Sequence, residues 1–140
     1  MIVYCAGAIK GDSSYKENYS AIINIIREYQ HSALSELNPE FHSPFPLDDR
    51  QIFQRDIKWI EKSNLMIAEI SGASLGVGFE IAYALYIRKI PVLAVYNTDD
   101  DNISSMITGC DSEFLSIKKY NNDGELREMI KNFLDGQILY

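Results

Sequence analysis

The sequence predicts an α/β fold, a doubly wound parallel sheet, and three observations carry that prediction. Short, continuous apolar runs rich in Ile and Val occur at Ile2–Ala6, Leu65–Ile70 and Pro91–Tyr96. Strands covered on both faces have this composition, without polar alternation. Helical patterns fill the intervals between the runs, and strand–helix alternation implies crossovers around a parallel sheet. The length of 140 residues suits one domain, 1–140, with a core of its own.

The elements follow in order. Ile2–Ala6 is the first strand. Tyr15–Tyr29 is the first helix, because Tyr19, Ile22, Ile23 and Ile26 recur at helical spacing. A second strand, weakly marked, lies near Ala33–Leu37. Asn38–Asp49 holds three of the four prolines and reads as a long loop, a kind of segment that often carries function. Arg50–Ser63 is the second helix. Leu65–Ile70 is the third strand, and a glycine turn leads from it into a helix over Phe79–Ile87. Pro91–Tyr96 and a weaker run at Phe114–Ile117 complete a five-stranded sheet, and Glu125–Leu134 closes the chain as a helix.

Composition narrows the function. The hydrophobic share of 46% and charged share of 24% are those of an ordinary globular protein. No apolar run approaches the roughly 20 residues that span a bilayer, so no membrane partner is expected. The N-terminal segment lacks a basic n-region and reads as a strand rather than a signal peptide. Cys5 and Cys110 have neither metal-ligand nor disulfide-framework spacing, which points to a reduced, cytoplasmic setting. His31 and His42 are isolated, so no metal or other cofactor is expected. A formal net charge of -7 argues against nucleic-acid polymers as partners. A small phosphorylated ligand remains compatible, held by backbone N–H groups, hydroxyls and a local cation.

The chemistry-bearing residues gather in a few segments. Ser74-Leu75-Gly76-Val77-Gly78-Phe79-Glu80 follows a strand and opens a helix, where α/β proteins hold small anions. Placed at the helix start, Glu80 would be kept ionised by the dipole. It is then either a nucleophile or simply an acidic residue suited to a first turn. Gly76 and Gly78 either shape the ligand turn or allow close helix–strand packing. On the second helix, at about 100° per residue, Ile52, Phe53, Ile57, Trp59 and Ile60 form one apolar arc with Asp56 near its middle. A carboxylate there either pairs with an Arg or caps a loop, or it faces a ligand as a proton donor. The first strand runs into Gly7-Ala8-Ile9-Lys10-Gly11, at the expected ligand crevice. Lys10 could meet an anion in that loop. Tyr4 reads as core, and Glu69 as a structural, pairing or capping residue.

Together these segments resemble the nucleoside 2-deoxyribosyltransferase superfamily, most closely its 2'-deoxynucleoside 5'-phosphate N-hydrolase branch. The resemblance rests on Val3-Tyr4, Ala6–Gly11, Arg55–Ile60, Ala68–Ile70, Ser74–Glu80 and Ile103–Gly109, which run in family order. It implies a flavodoxin-like fold and a homodimer whose site is completed across the interface. It further implies Glu80 as a nucleophile on C1' of the deoxyribose, Asp56 acting on the base side, and Tyr4 orienting the catalytic carboxylate. Ser74 and Ser104 match phosphate-contacting serines, Ser104 serving the neighbouring subunit's site, and Met106 belongs to the same matched segment as a binding residue. Lys10 stands where that branch has Arg, Ala8 where it has Ser, and the terminal Gly136–Tyr140 is more like the transferases. The resemblance thus implies hydrolysis of a 2'-deoxynucleoside 5'-monophosphate to base and deoxyribose 5-phosphate. Base exchange between deoxynucleosides and non-catalytic nucleotide binding are the alternatives.

Overall fold

A computed structural model describes residues 1–138, and the last part of the Gly136–Tyr140 segment lies outside the described residues. Five parallel strands form the sheet: β1 Ile2–Gly7, β2 Ser32–Leu34, β3 Leu65–Glu69, β4 Val92–Tyr96 and β5 Leu115–Lys119. Their spatial order is β2-β1-β3-β4-β5, the flavodoxin-like arrangement. β2 is short and sits a little earlier than the apolar run suggested. Only three residues pair with β1 before Ser35 turns the chain away.

Side-chain alternation along each strand sorts the core into two layers. Val3, Cys5, Leu65 and Ile67 face α1 (Lys16–Glu28) and α5 (Asp123–Ile138). Tyr4, Ala6, Met66 and Ala68 face α2 (Asp49–Lys62) and α3 (Leu75–Ala82). Tyr4 is therefore core, as expected, but on the face that carries Asp56 and Glu80.

The start of α3 departs from the sequence reading. Ser74 is its N-cap, accepting a bond from Val77 N–H at 3.2 Å, so the helix opens at Leu75 and not at Phe79. A Ser cap satisfies an orphan first-turn donor and outweighs the cost of two helical glycines. Gly76 and Gly78 lie inside the helix. A Cβ at Gly78 would meet nothing within 4 Å, and one at Gly76 only Ser74 Oγ at 3.9 Å, so neither serves close packing within this chain. Past Ala82 the helix widens into a π-helical stretch, Tyr83–Arg88, which ends at Lys89 in the left-handed region.

α2 begins with a capping box between Asp48 and Gln51. Of its apolar arc only Ile60 is fully buried; Phe53 is largely exposed and meets Phe79 edge-on at 6.0 Å. The proline-rich segment before it holds one short 3₁₀ turn, Pro39–Phe41. A further short helix, α4 (Ser105–Thr108), lies between β4 and β5.

Candidate active site

β1 and β3 are neighbours whose following helices pack on opposite faces of the sheet, which opens a crevice beyond their C-terminal ends. The loops after these strands are pressed together, with Asp12 N–H donating to Ala73 O at 3.0 Å. The glycines that this contact requires are Gly11 and Gly72. A Cβ on Gly11 would lie 2.2 Å from Ala73 O, and one on Gly72 2.4 Å from Asp12 O. Sequence reading stressed Gly76 and Gly78 instead, because a contact between two loops leaves no local signature.

Three carboxyls and a tyrosine collect on the α2/α3 side of this crevice. Glu80 lies in the second turn of α3, beyond reach of the free N–H groups, so the expectation of dipole-stabilised ionisation is corrected. The side chain keeps some solvent access. Burial nevertheless pushes its pKa up to about 8, with the Asp56 charge adding to the rise and the Tyr4 hydroxyl opposing it. Tyr4 is held neutral well beyond its usual range by burial and by Glu80 and Asp56. Asp56 is also raised by burial, against the pull of Arg55.

Two members of this cluster went unnoticed in the sequence. Arg55 Nε donates to Asp56 Oδ1 at 2.9 Å, and its Nη2 lies 3.5 Å from Glu36 Oε2. Glu36 follows β2 and is raised by burial and then by Asp56. The pairing expected as one reading of Asp56 is present, and the same carboxyl lies close enough to Glu80 and Tyr4 to shift both. Glu36 is 19 positions from Arg55, and the two meet where the segment after β2 lies against α2.

Glu69 takes the structural role expected. Its carboxylate accepts Ser71 N–H at 2.6 Å and the Tyr120 hydroxyl. In the first loop, Ala8 is buried and Ile9 partly so, whereas Lys10 is exposed and 4.0 Å from Asp49. Gly7 is required by Tyr19, whose ring would lie 2.1 Å from a Cβ there.

The other expected binding residues lie elsewhere. Ser74, Gly78, Leu85, Tyr86, Ser104 and Met106 line a cavity of about 1040 Å³ between α3 and α4. Positions 78 and 82 lie on one face of α3, and Glu80 projects from roughly the opposite side. Within one chain, the predicted phosphate-side serines are thus grouped with each other and not with the carboxyls. Ser104 caps α4 through Met106 N–H at 3.2 Å, and Met106 is 83% exposed.

The profile of the nucleoside 2-deoxyribosyltransferase family matches residues 3–129. The chain belongs to this family. Among relatives of this nucleoside 2-deoxyribosyltransferase family chain, a Methanosarcina mazei protein is 33% identical over 135 residues, covering 94% of this chain and 83% of that protein. It carries the provisional name 2'-deoxynucleoside 5'-phosphate N-hydrolase 1. The 5-hydroxymethyl-dUMP N-hydrolase of Rattus norvegicus is 27% identical over 143 residues, covering 97% of this chain and 86% of its own length. A solved Clostridium botulinum CMP N-glycosidase shares the fold with a TM-score of 0.66 at 17% identity, covering 94% of this chain and 98% of its own. A 2-deoxyribosyltransferase from Bacillus psychrosaccharolyticus does so with a TM-score of 0.66 at 18% identity, covering 89% of each chain. Among the described residues no helix is long and apolar enough to cross a membrane.

Proposed function

We propose that this family member hydrolyses the N-glycosidic bond of 2'-deoxynucleoside 5'-monophosphates, releasing base and deoxyribose 5-phosphate. The observation that carries the reading is the meeting of Glu80, Asp56 and Tyr4 at the β1/β3 crevice, three residues separated in sequence. The names of the M. mazei and rat relatives agree with it.

Two carboxyls that strongly repel one another hold one proton between them over a wide pH range. At rest the proton sits on Glu80, whose pKa is the one pushed up to about 8; the reactive form is the tautomer in which it has passed to Asp56 and Glu80 is ionised. Glu80 attacks C1' and forms a glycosyl-enzyme, while Asp56 gives its proton to the departing base. Water then attacks C1', with a carboxylate of the pair taking the proton, and frees the sugar phosphate. Tyr4 donates to the Glu80 carboxylate and fixes its orientation. Gly7, Ala8, Ile9 and Lys10 form the neighbouring wall of the site.

The substrate phosphate is held by Ser74 of one chain and Ser104 of a second copy, with Met106 beside it and Gly76 and Gly78 leaving room. A homodimer is supported by the exposed apolar side chains near this face, Leu75 (97% exposed), Phe79 (54%) and Met106 (83%), which water alone covers at a cost. Mixing inactive Glu80→Ala and Ser104→Ala chains in equal amounts tests the shared site: the mixture should regain about a quarter of parental activity, because half the dimers are mixed and each of these carries one intact site of its two. No recovery in mixed dimers verified by mass spectrometry would overturn the sharing.

The reaction itself is tested by incubating the protein with each dNMP, each rNMP and the corresponding deoxynucleosides, with and without an acceptor base. Free base from a dNMP, lost in Glu80→Ala, is the expected result. Release of base by Glu80→Ala at the parental rate would sink the mechanism, and a new nucleoside formed with acceptor base would make the protein a transferase.

A further inference from the structure

Arg55 is the one cation bonded to this carboxyl cluster among the described residues, and its contacts are unusual for its position. Adjacent residues on a helix point about 100° apart and do not normally meet. Arg55 nevertheless bends back so that Nε donates to Asp56 Oδ1 at 2.9 Å. Its guanidinium lies over the Trp59 ring at 4.7 Å, one turn further along α2. Nη2 reaches across to Glu36 Oε2 at 3.5 Å. Both partners of the short contact are mostly covered, with side chains 19% and 15% exposed. A planar fork pinned on an aromatic face and shared by two carboxylates is a fixed device, not a solvated surface charge.

We propose that Arg55 is a positioning residue: it clamps Asp56 through Oδ1, turns Oδ2 toward the substrate base, and ties the acid to Glu36. The inference rests on Asp56 and Glu80 acting as acid and nucleophile. Among the described residues Arg55 is the only group that hydrogen-bonds the Asp56 carboxyl. The groups facing Glu80 are Tyr4 from β1, Asp56 and Arg55 from α2, and Glu36 beyond β2. Lys10 acts only on Glu36, from a distance, and its near partner is Asp49. Three carboxyls thus share one bonded cation. Arg55 favours ionisation of the pair and Glu36 opposes it, so the two residues set the working pH from opposite sides.

The alkaline limb of kcat/KM reports loss of the proton that Asp56 and Glu80 share in the free enzyme. In Arg55→Gln, carboxylates are less favoured and this limb should move about one pH unit toward alkaline pH. In Glu36→Gln a negative neighbour is gone, and the limb should move toward acid. Arg55→Lys keeps the charge but not the fork. Its limb should stay near the parental position while kcat falls about tenfold or more and KM changes little.

The substrate is whichever of the four dNMPs the parent turns over fastest. Carboxyl ¹³C titration of each variant gives the same shifts without turnover, and circular dichroism excludes misfolding as their source. Opposite displacement in the Gln variants with retention in Lys is the result expected. Limbs that coincide, or that move in the same direction, would overturn the proposal. If Glu80→Ala and Asp56→Asn keep activity, the acid–nucleophile reading itself has failed; if they lose it while Arg55→Gln behaves as the parent, only the Arg55 clamp has.

Discussion

Glu69 and Glu80 sit eleven positions apart, one ending β3 and the other on the helix that follows, and both are shifted upward by burial. Their surroundings differ. Glu69 is answered by donors, since Ser71 N–H and the Tyr120 hydroxyl both point at it. Glu80 is met by one tyrosine hydroxyl and by two further carboxyls, Asp56 and Glu36. Burial with donors is a structural solution, and burial among like charges is strain that only a task at that position justifies. The contrast fits a scaffold role for Glu69 and supports the catalytic role proposed for Glu80.

The largest effect expected on the Glu80 side is that of Asp56→Asn. Losing a general acid should lower kcat about 10²–10⁴-fold with little change in KM. The direction of pH dependence should also reverse. The parent should lose activity as pH rises through about 8, the value to which burial pushes Glu80, when the pair gives up its shared proton. With Asn in place, the residual rate should rise with pH as Glu80 ionises. A profile unchanged in shape would separate Asp56 from the acid role.

On the other side, Glu69→Ala should leave Ser71 N–H and the Tyr120 hydroxyl without their buried acceptor. That costs about 1–3 kcal/mol for a buried orphan, readable as a lower urea midpoint, with kcat reduced far less than by Asp56→Asn. A Glu69→Ala protein of parental stability would dissolve the contrast.

The smallest effect is on stability, and its sign is diagnostic. Glu80 has a folded pKa of about 8, above its ordinary value of 4.5. Its contribution is therefore fully present below about 4.5 and is lost as pH rises through about 8. Glu80→Gln, neutral throughout, should melt higher than the parent at pH 9 by about 3 °C, the shift about 1 kcal/mol produces in a chain of this size. The gap should close toward pH 5. A Glu80→Gln protein that melts lower than the parent at pH 9 would contradict the strain.

Much of this was legible beforehand, for physical reasons that differ by element. β1, β3 and β4 were plain because strands buried on both faces must be continuously apolar. β2 was not, since Ser32–Leu34 has too few residues for any period to show. The start of α3 was hidden because Gly76 and Gly78 imitate a turn, and the Ser74 cap that overrides them is one hydroxyl. Asp56 announced itself as a carboxylate on an apolar arc. Arg55 and Glu36 did not, because each looks like an ordinary surface charge until the fold sets the segment after β2 against α2. Gly11 and Gly72 were missed for the same reason: each is explained only by the backbone of the other loop.

The central claim, attack by Glu80 on C1', is tested most directly by stereochemistry. Turnover of a dNMP in dilute methanol yields a methyl deoxyriboside 5-phosphate, whose anomeric configuration is fixed once formed and readable by proton NMR. Two successive displacements, the first by Glu80, predict the β configuration of the substrate retained. The inverted α-glycoside would mean that the solvent molecule attacks C1' directly, and that Glu80 is no nucleophile.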